Sequence, residues 1–409
     1  MFSFNKTGLS TKTIKPKIAV LFDNFGPYHI ARLKALAKQF QLLAIEQRSQ
    51  SQEYLWRASE KVPFNRVLVL KEKNNDVPRH KEQALLNERL DEFNPNVVVV
   101  PGWASRQAVS GLAWAKANCV PAVVMSDSQE IDSTRSRWKE WVKSRLVGLF
   151  SAGLVGGKSH KAYLEKLGMP AEHIHVGYDV VDNTYFSTGA DLARSFSLAL
   201  RSTLELPANY FLVSNRFIEE KNLPSLLDAY AGYVALSGDA AWSLVMLGDG
   251  YLKIDLLEQI DRLELSTQVL LPGFKQYEEL PQYLGLAGVF ILASTKETWG
   301  LVVNEAMAAG LPVLVSNRCG CASDLVDDGR NGFTFDPYDV PALANLMIHV
   351  ASPACDRAAM GRASQEIIAH WTPETFARNL EAAVNTAMKR GSSKASVLDR
   401  LLLWGLSFR

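Results

Sequence analysis

The chain of 409 residues has only four cysteines, no long apolar run and almost no net charge. The cysteines do not form two C-x-x-C pairs, so they predict neither a zinc site nor a disulfide framework, which indicates a reducing compartment. No run approaches the roughly 18 apolar residues that span a bilayer, and the first apolar run is too short for a signal peptide. We therefore expect a cytoplasmic protein, either soluble or associated with a membrane surface.

The charge balance and the chain length restrict the class further. Lys and Arg number 44 and Asp and Glu number 43, so no overall positive field exists to attract nucleic acid. Hydrophobic residues make up 47% of the chain, which suffices for buried sheets and excludes a disordered protein. Because this length exceeds what one hydrophobic core usually supports, we expect two domains.

Short apolar runs alternate with helical patterns through the first half of the chain. This alternation predicts a parallel sheet with right-handed crossovers, in which ligands bind at the carboxyl ends of the strands. The loop after the first strand offers Gly26 and His29 as candidate ligand contacts, although His29 is equally explained as a capping or packing residue. The loop lacks a G-x-G-x-x-G fingerprint, which argues against a dinucleotide site.

The second half of the chain is organised around residues 297–312. A buried strand leads to Glu297, and Gly300 then precedes a short run of strong helix formers. The order predicts strand, loop, helix and strand. The N–H groups of Gly300, Leu301 and Val302 would lie at the helix N-terminus, where unpaired donors and the helix dipole favour an anion.

This segment resembles the paired-glutamate signature of glycosyltransferase family 4, whose members are retaining GT-B enzymes that use nucleotide sugars. The resemblance rests on Thr-Trp-Gly-Leu after Glu297 and on Glu-Ala-Met-Ala-Ala-Gly-Leu-Pro-Val from Glu305. It covers most of the chain and is strongest over residues 210–335. It implies that Glu305 binds the donor ribose, that Glu297 binds hydroxyls of the donor sugar, and that the helix N-terminus binds phosphate.

A basic pair five residues apart holds the donor diphosphate in that family, and Arg216 and Lys221 match it. Fixed cations would stabilise the negative charge that the leaving nucleoside diphosphate gains as the glycosidic bond breaks. The resemblance also places Gly273 and Phe274 beside the nucleobase. Gly248, in the tight turn after another predicted strand, is a further candidate donor contact.

The first domain departs from the family at one position. Many relatives carry a histidine that faces the transferred sugar, whereas this chain has Ser-Asp-Ser around Asp127. Either Asp127 takes that place, as a candidate catalytic residue, or the role is absent. We expect the acceptor to be selected by the loops at residues 25–29 and 102–106. No D-x-D pair stands at a matching place, so the resemblance requires no metal.

Two segments combine apolar and basic residues. Residues 135–150 predict a helix with Trp138 and Trp141 on one face, and residues 398–408 form a strongly apolar tail. The helix is interpreted either as a membrane-surface helix or as an ordinary crossover helix with buried tryptophans. The crossover interpretation is preferred. The tail packs on the first domain or contacts membrane.

The resemblance implies an α/β, GT-B architecture of two Rossmann-like doubly wound domains facing across a cleft. An acceptor-binding domain would span residues 1–185, completed by residues 374–409, and a donor-binding domain would span 186–373. The expected enzyme transfers a hexose, without a metal, from a nucleotide sugar such as UDP-glucose to a saccharide or lipid-linked hydroxyl, in polysaccharide or glycolipid synthesis. The alternatives are a non-catalytic nucleotide-sugar-binding module and a Rossmann-type epimerase or oxidoreductase.

Overall fold

The computed structural model describes residues 15–48, 62–70, 78–133 and 135–407. In these ranges the first domain has a sheet of seven strands. The strands are β1 (Lys17–Phe22), β2 (Gln41–Arg48), β3 (Asn65–Leu70), β4 (Val97–Pro101), β5 (Ala122–Ser126), β6 (Ala152–Val155) and β7 (Ile174–Val176). They lie in the order β3-β2-β1-β4-β5-β6-β7, and every neighbouring pair is parallel.

Helices cover both faces of this sheet, which explains why its central strands are apolar along their whole length. The helices are α1 (Pro27–Leu36), α2 (Arg79–Phe93), α3 (Arg106–Ala117), α4 (Arg137–Val147) and α5 (Lys158–Lys166).

The second domain has six described strands, again all parallel. The strands are β8 (Tyr210–Ser214), β9 (Ser243–Leu247), β10 (Val269–Gly273), β11 (Val289–Leu292), β12 (Val313–Ser316) and β13 (Gly332–Phe335). Their order is β10-β9-β8-β11-β12-β13. The helices of this part are α6 (Asn183–Ser195), α7 (Ser197–Thr203), α8 (Leu223–Ser237), α9 (Lys253–Arg262), α10 (Leu280–Leu286), α11 (Leu301–Ala308), α12 (Ala322–Leu325), α13 (Val340–Ala351) and α14 (Arg357–Ile368).

The strand order reverses once in each sheet, between β1 and β4 in the first and between β8 and β11 in the second. Ligands of doubly wound domains bind outside the carboxyl ends of the strands at such reversals. The predicted architecture of two doubly wound α/β domains is confirmed.

The chain returns to the first domain at its end through α15 (Pro373–Arg390) and α16 (Val397–Ser407). Phe376 and Leu380 of α15 are buried in the same core as β1, and Leu403 of α16 is buried in the core on the other face of the first sheet. Helix α6 spans the predicted boundary between residues 185 and 186. Its buried residue Phe186 packs in the core of the second domain, so the chain leaves the first domain before α6.

The tryptophans of helix α4 are not buried, so the preferred interpretation of a crossover helix with buried tryptophans is wrong on this point. Trp138 is 65% exposed and Trp141 is 39% exposed, so neither lies in the core. Their rings stack on each other with centroids 4.8 Å apart. Leu146 and Val147, at the other end of the helix, provide its buried contacts instead. Among the helices of the described residues, none combines the length and the apolar character needed to cross a bilayer.

Candidate functional site

A cleft with a volume of ≈ 610 Å³ lies between the two domains. Residues at the carboxyl ends of strands of the first sheet line one side: Asn24, Gly26, Tyr28, His29, Asp127 and Asp179. Loops and helix starts of the second domain line the other side: Ser214, Asn215, Arg216, Lys221, Leu247, Gly248, Asp249, Gly250, Phe274, Lys275, Leu280, Glu297, Thr298, Trp299, Gly300, Leu301, Val302 and Glu305. The fold therefore brings segments from both halves of the chain to one surface.

Every predicted site residue lines this cleft except Gly273. Gly273 lies directly behind the lining, where its carbonyl accepts a hydrogen bond from the N–H of Gly248 (3.1 Å). Residues 102–106, which were predicted to help select the acceptor, do not line this cleft, and their role in acceptor selection stays a prediction. Arg106 instead lines a small separate cavity beside α2 and α3.

The predicted basic pair follows the first strand of the second domain. Arg216 lies two residues after β8, and Lys221 ends a single 3-10 turn before α8. The Lys221 ammonium forms an ion pair with the carboxylate of Glu297, and both side chains are largely buried. The Ser294 hydroxyl donates a longer hydrogen bond to the same carboxylate (3.4 Å). In this structure the carboxylate predicted to bind the sugar therefore neutralises one of the predicted phosphate ligands.

Gly248 has a packing role that the sequence did not reveal. Its φ of +137° belongs to a region that favours glycine, and a Cβ atom there would lie 1.7 Å from the carbonyl oxygen of Asn215. Because Gly248 has no side chain, the turn that follows β9 packs closely against the segment that carries Arg216. Gly248 thus supports the position of the basic pair in addition to lining the cleft.

The N-terminus of α11 opens into the cleft. Gly300 precedes the helix with φ of +102°, and Leu301 and Val302 form its first turn. The first N–H groups of an α-helix have no acceptor within the helix, and they carry the positive end of its dipole. Such donors suit an anion, and they lie on the wall of the cleft that also contains Glu305.

Glu305 is buried, and burial raises the pKa of its carboxyl to about 8, although its hydrogen bond with Tyr28 acts in the opposite direction. The Tyr28 hydroxyl belongs to the first domain and donates to Oε1 of Glu305 across the cleft. The Tyr28 ring also packs edge-on against Tyr277 (5.8 Å between centroids). Sequence reasoning missed this contact, although it included Tyr28 in the loop predicted to select the acceptor.

The loop around Glu297 is held by the first domain as well as by the second. The Thr298 hydroxyl donates to Oδ2 of Asp127 (3.0 Å), and the Gln129 amide donates to the carbonyl of Glu297 (3.0 Å). His160 Nε2 lies 2.8 Å from the carbonyl of Thr298. Movement of the two domains relative to each other would therefore displace the predicted sugar-binding carboxylate.

Asp179 is a cleft residue that sequence reasoning missed. Its side chain lies 3.6 Å from Arg32, yet burial and the nearby Asp127 carboxylate raise its pKa to about 8. Its Oδ2 atom has no hydrogen-bond partner within the described part of the chain. A buried, unpaired carboxyl oxygen in a cleft is suited to bind a ligand hydroxyl. The segment Gly-Tyr-Asp around it carried the only signal, and it resembled the family's exit into the interdomain linker.

His29 caps helix α1. The N–H of Gly26 donates to its Nδ1 atom (3.1 Å), so the proton of the neutral ring is on Nε2. Burial and the nearby Arg32 lower the pKa of His29 to about 3. The ring is therefore uncharged at neutral pH and can offer one hydrogen bond to a ligand, but it cannot contribute a positive charge to phosphate binding.

Phe274 and Lys275 follow β10 at the edge of the cleft. Phe274 is 39% exposed, so its side chain does not belong to the core of the second domain. Lys275, which the sequence analysis did not select, adds a third cationic side chain to the lining and lies 3.8 Å from Glu279. Among the described residues, no group of three or more His, Cys, Asp or Glu side chains is arranged to hold a metal ion.

Comparison with known proteins shows that part of this chain is similar to glycosyltransferases. Residues 201–367 match the family described as "Glycosyl transferases group 1". The chain is 27% identical over 261 residues to alpha-monoglucosyldiacylglycerol synthase of Acholeplasma laidlawii, covering 59% of this chain and 63% of that one. It is 27% identical over 194 residues to mannosylfructose-phosphate synthase of Agrobacterium fabrum, covering 45% and 41%. The alignments thus span less than two thirds of these curated relatives.

The fold is shared with a solved structure over almost its whole length. The crystal structure of Anabaena HepE in complex with UDP superposes with a TM-score of 0.68 at 20% sequence identity, covering 89% of this chain and 98% of that one. At this identity the likeness concerns the fold.

Proposed function

We propose that the protein transfers a hexose from a nucleotide sugar to a hydroxyl group; the match of residues 201–367 to the group 1 glycosyl transferases and the shared GT-B fold support this. The observation that carries the proposal is the convergence in one cleft of Arg216, Lys221, the α11 N-terminus and Glu305. Cations and helix N–H groups suit a diphosphate, and a carboxylate suits a ribose diol. The same cleft receives Asp127 and Asp179 from the other domain, which suits recognition of sugar and acceptor hydroxyls.

The donor is proposed to be a UDP-sugar, with glucose a leading candidate. Anabaena HepE, which shares the fold, was crystallised with UDP and with UDP-glucose. Phe274, half-exposed at the cleft edge, would border the uracil. Lys221 and Glu297 form an ion pair, and we propose that donor binding separates them, with Lys221 turning to phosphate and Glu297 to sugar hydroxyls. The cations would supply the charge stabilisation without a metal.

The reaction is proposed to retain the anomeric configuration, with an oxygen of the leaving phosphate accepting the acceptor proton on the same face of the sugar. The acceptor is proposed to be a saccharide or lipid-linked hydroxyl, as in polysaccharide or glycolipid synthesis. Acholeplasma alpha-monoglucosyldiacylglycerol synthase, one of the relatives, is named for a glycolipid product. A lipid-linked acceptor would require the protein to work at a membrane surface.

Thermal unfolding with UDP, GDP, ADP or NAD, each with a metal chelator, tests the proposed donor class. A ligand that binds only the native state raises the melting temperature. We expect UDP to raise it, and NAD to leave it unchanged. A shift with NAD alone would overturn the proposal in favour of a Rossmann-type oxidoreductase. A UDP shift with no sugar transfer and no donor hydrolysis would instead favour a binding module.

If Glu305 binds the ribose, the affinity of the protein for UDP should depend on pH. Its pKa of about 8 leaves the carboxyl mostly protonated near neutral pH, whereas a ribose diol that donates two hydrogen bonds favours the ionised form. Affinity for UDP should therefore increase from about pH 6.5 to about pH 8.5, by at most about tenfold per unit below the pKa, and then level off. Calorimetry in two buffers of different ionisation enthalpy should detect proton release on binding.

The matched control is Glu305→Gln, which removes the titrating group and keeps the size of the side chain. Its remaining pH dependence reports the phosphate of the nucleotide together with the other titrating groups of the cleft, among which Asp179 has a pKa of about 8. Identical pH profiles in the two proteins would contradict the assignment of Glu305 to the ribose.

A further inference from the structure

Helices α4 and α16, which are far apart in the sequence, are linked on the first domain by contacts between the end of α4 and the start of α16. Arg145 near the end of α4 forms an ion pair with Asp399 of α16 (2.7 Å) and donates a hydrogen bond to Ser396 (3.0 Å). Leu403 anchors α16 in the core of the first domain, and Asp399 is also buried. The remaining side of α16 is left facing outward.

Both helices expose large apolar side chains to solvent. These are Trp138, Trp141, Val397, Leu398, Leu401 and Trp404, which we call the α4–α16 face. Leu401 is 59% exposed, and the tryptophans of α4 stack on each other instead of inserting between the helices. Several large apolar side chains exposed on two linked helices mark an interaction surface. Tryptophan in particular prefers the interface between lipid and water, where its ring is buried and its N–H stays hydrated.

The charges around the α4–α16 face are mainly positive. The two acidic residues of α4 and α16 are both neutralised: Glu140 by Lys143 (2.9 Å), and Asp399 by Arg145. Arg137, Lys139 and Arg400 are exposed beside the apolar side chains. Apolar residues flanked by exposed cations match a bilayer with anionic headgroups, whereas a second copy of the same positive surface would be repelled.

The α4–α16 face borders the side of the first domain on which the cleft opens. Helix α4 begins shortly after Asp127, a cleft residue at the carboxyl end of β5. The other end of the face is also near that edge, because Ser407 at the end of α16 lines a cavity with Gln107 at the start of α3. A membrane bound to this face would therefore lie close to the mouth of the cleft.

We propose that the α4–α16 face docks the protein on bilayers that contain anionic lipids. The tryptophans and leucines enter the interfacial region, and Arg137, Lys139 and Arg400 contact the headgroups. This docking would bring a lipid-linked acceptor to the cleft; that consequence rests on the proposed transferase function, whereas vesicle binding itself does not.

Co-sedimentation of the full-length chain with vesicles tests the docking. Vesicles of phosphatidylcholine containing phosphatidylglycerol are compared with vesicles of phosphatidylcholine alone. We expect binding to the anionic vesicles that weakens with added salt, and at least about tenfold weaker binding for Trp138→Ser/Trp141→Ser. Arg400→Glu should weaken binding at least about fivefold, the effect expected from about 1 kcal/mol per basic residue.

Matched controls come from the second domain. Leu236→Ser removes an equally exposed apolar side chain (72% exposed) from α8, and Arg262→Glu reverses an exposed charge on α9. Both should bind vesicles like the unmodified chain. Absence of vesicle binding, or equal loss in the controls, would overturn the docking proposal. So would a tryptophan variant that changes the oligomeric state in gel filtration but not vesicle binding, because a second copy would then cover the face.

UDP-induced thermal stabilisation, measured on the same variants, separates the two proposals. Unchanged UDP binding together with lost vesicle binding supports the docking face and leaves the donor site intact. Vesicle binding without any nucleotide response in the unmodified chain would overturn the transferase proposal and leave the docking proposal supported.

Discussion

Replacing Arg216 or Lys221 by alanine is expected to lower the rate of sugar transfer by roughly 10²-fold or more, a loss of about 2.7 kcal/mol of transition-state stabilisation. Both side chains line the cleft at the point where the leaving diphosphate would lie. The negative charge on that group grows as the glycosidic bond breaks, so a fixed cation contributes more to the transition state than to the bound donor. Steady-state kinetics with a UDP-sugar, together with UDP binding measured by calorimetry, would check this expectation.

Because Lys221 is paired with Glu297, the Lys221→Ala variant has two separate effects on diphosphate binding. Lys221→Ala leaves the largely buried Glu297 carboxylate without its partner, and that carboxylate would then repel the diphosphate. The double variant Lys221→Ala/Glu297→Gln separates the two effects, because it removes the repulsion without restoring the cation. If the double variant recovers most of the UDP affinity, the main role of Lys221 is to neutralise Glu297.

Lys296→Ala is the matched control for these variants. Lys296 is exposed, is adjacent to Glu297 and is not part of the cleft lining, so its loss removes one positive charge without removing a ligand contact. We expect near-normal transfer in this variant. Equal losses in Lys296→Ala and Lys221→Ala would mean that general electrostatics, and not contact with the donor, explains the effect.

Replacing Gly248 by alanine is expected to destabilise the second domain by about 3 kcal/mol or more, through backbone strain and a steric clash. The added Cβ would lie 1.7 Å from the Asn215 carbonyl oxygen, and that atom belongs to the backbone and cannot rotate away. The melting temperature should fall by at least about 6 °C for a domain of this size. Transfer measured well below the melting temperature should also fall, because the displaced segment carries Arg216.

Gly329→Ala controls for backbone conformation alone. Gly329 also has a positive φ (+80°) in the second domain, but a Cβ atom there meets no atom within 4 Å. The Gly329→Ala substitution should lower the free energy of unfolding by only about 1 kcal/mol. Similar melting temperatures for the two variants would show that the segment around Asn215 yields easily, and would weaken the argument that Gly248 positions the basic pair.

The features that were predictable from the sequence are local. The strands and helices follow from short-range hydrophobic periodicity, and the loop and helix at residues 297–308 follow from a glycine, helix formers and their order. The cationic pair Arg216 and Lys221 was predicted from the resemblance to the family, which has two basic residues five apart after the first strand of the second domain. Such features depend on neighbours in the chain, so one sequence suffices to predict them.

The tertiary structure decided which of these segments meet. It placed Tyr28 on Glu305, brought Asp179 into the cleft, excluded residues 102–106 from it, and left Trp138 exposed beside α16. Each outcome depends on the packing of elements that are distant along the chain; Tyr28 and Glu305, for example, are separated by 277 positions. The sequence of an amphipathic helix shows that the helix has an apolar face. Whether that face is buried depends on whether another element covers it. The amino-acid pattern of α4 is the same in both cases, and only the arrangement of the surrounding helices distinguishes a core helix from a surface one.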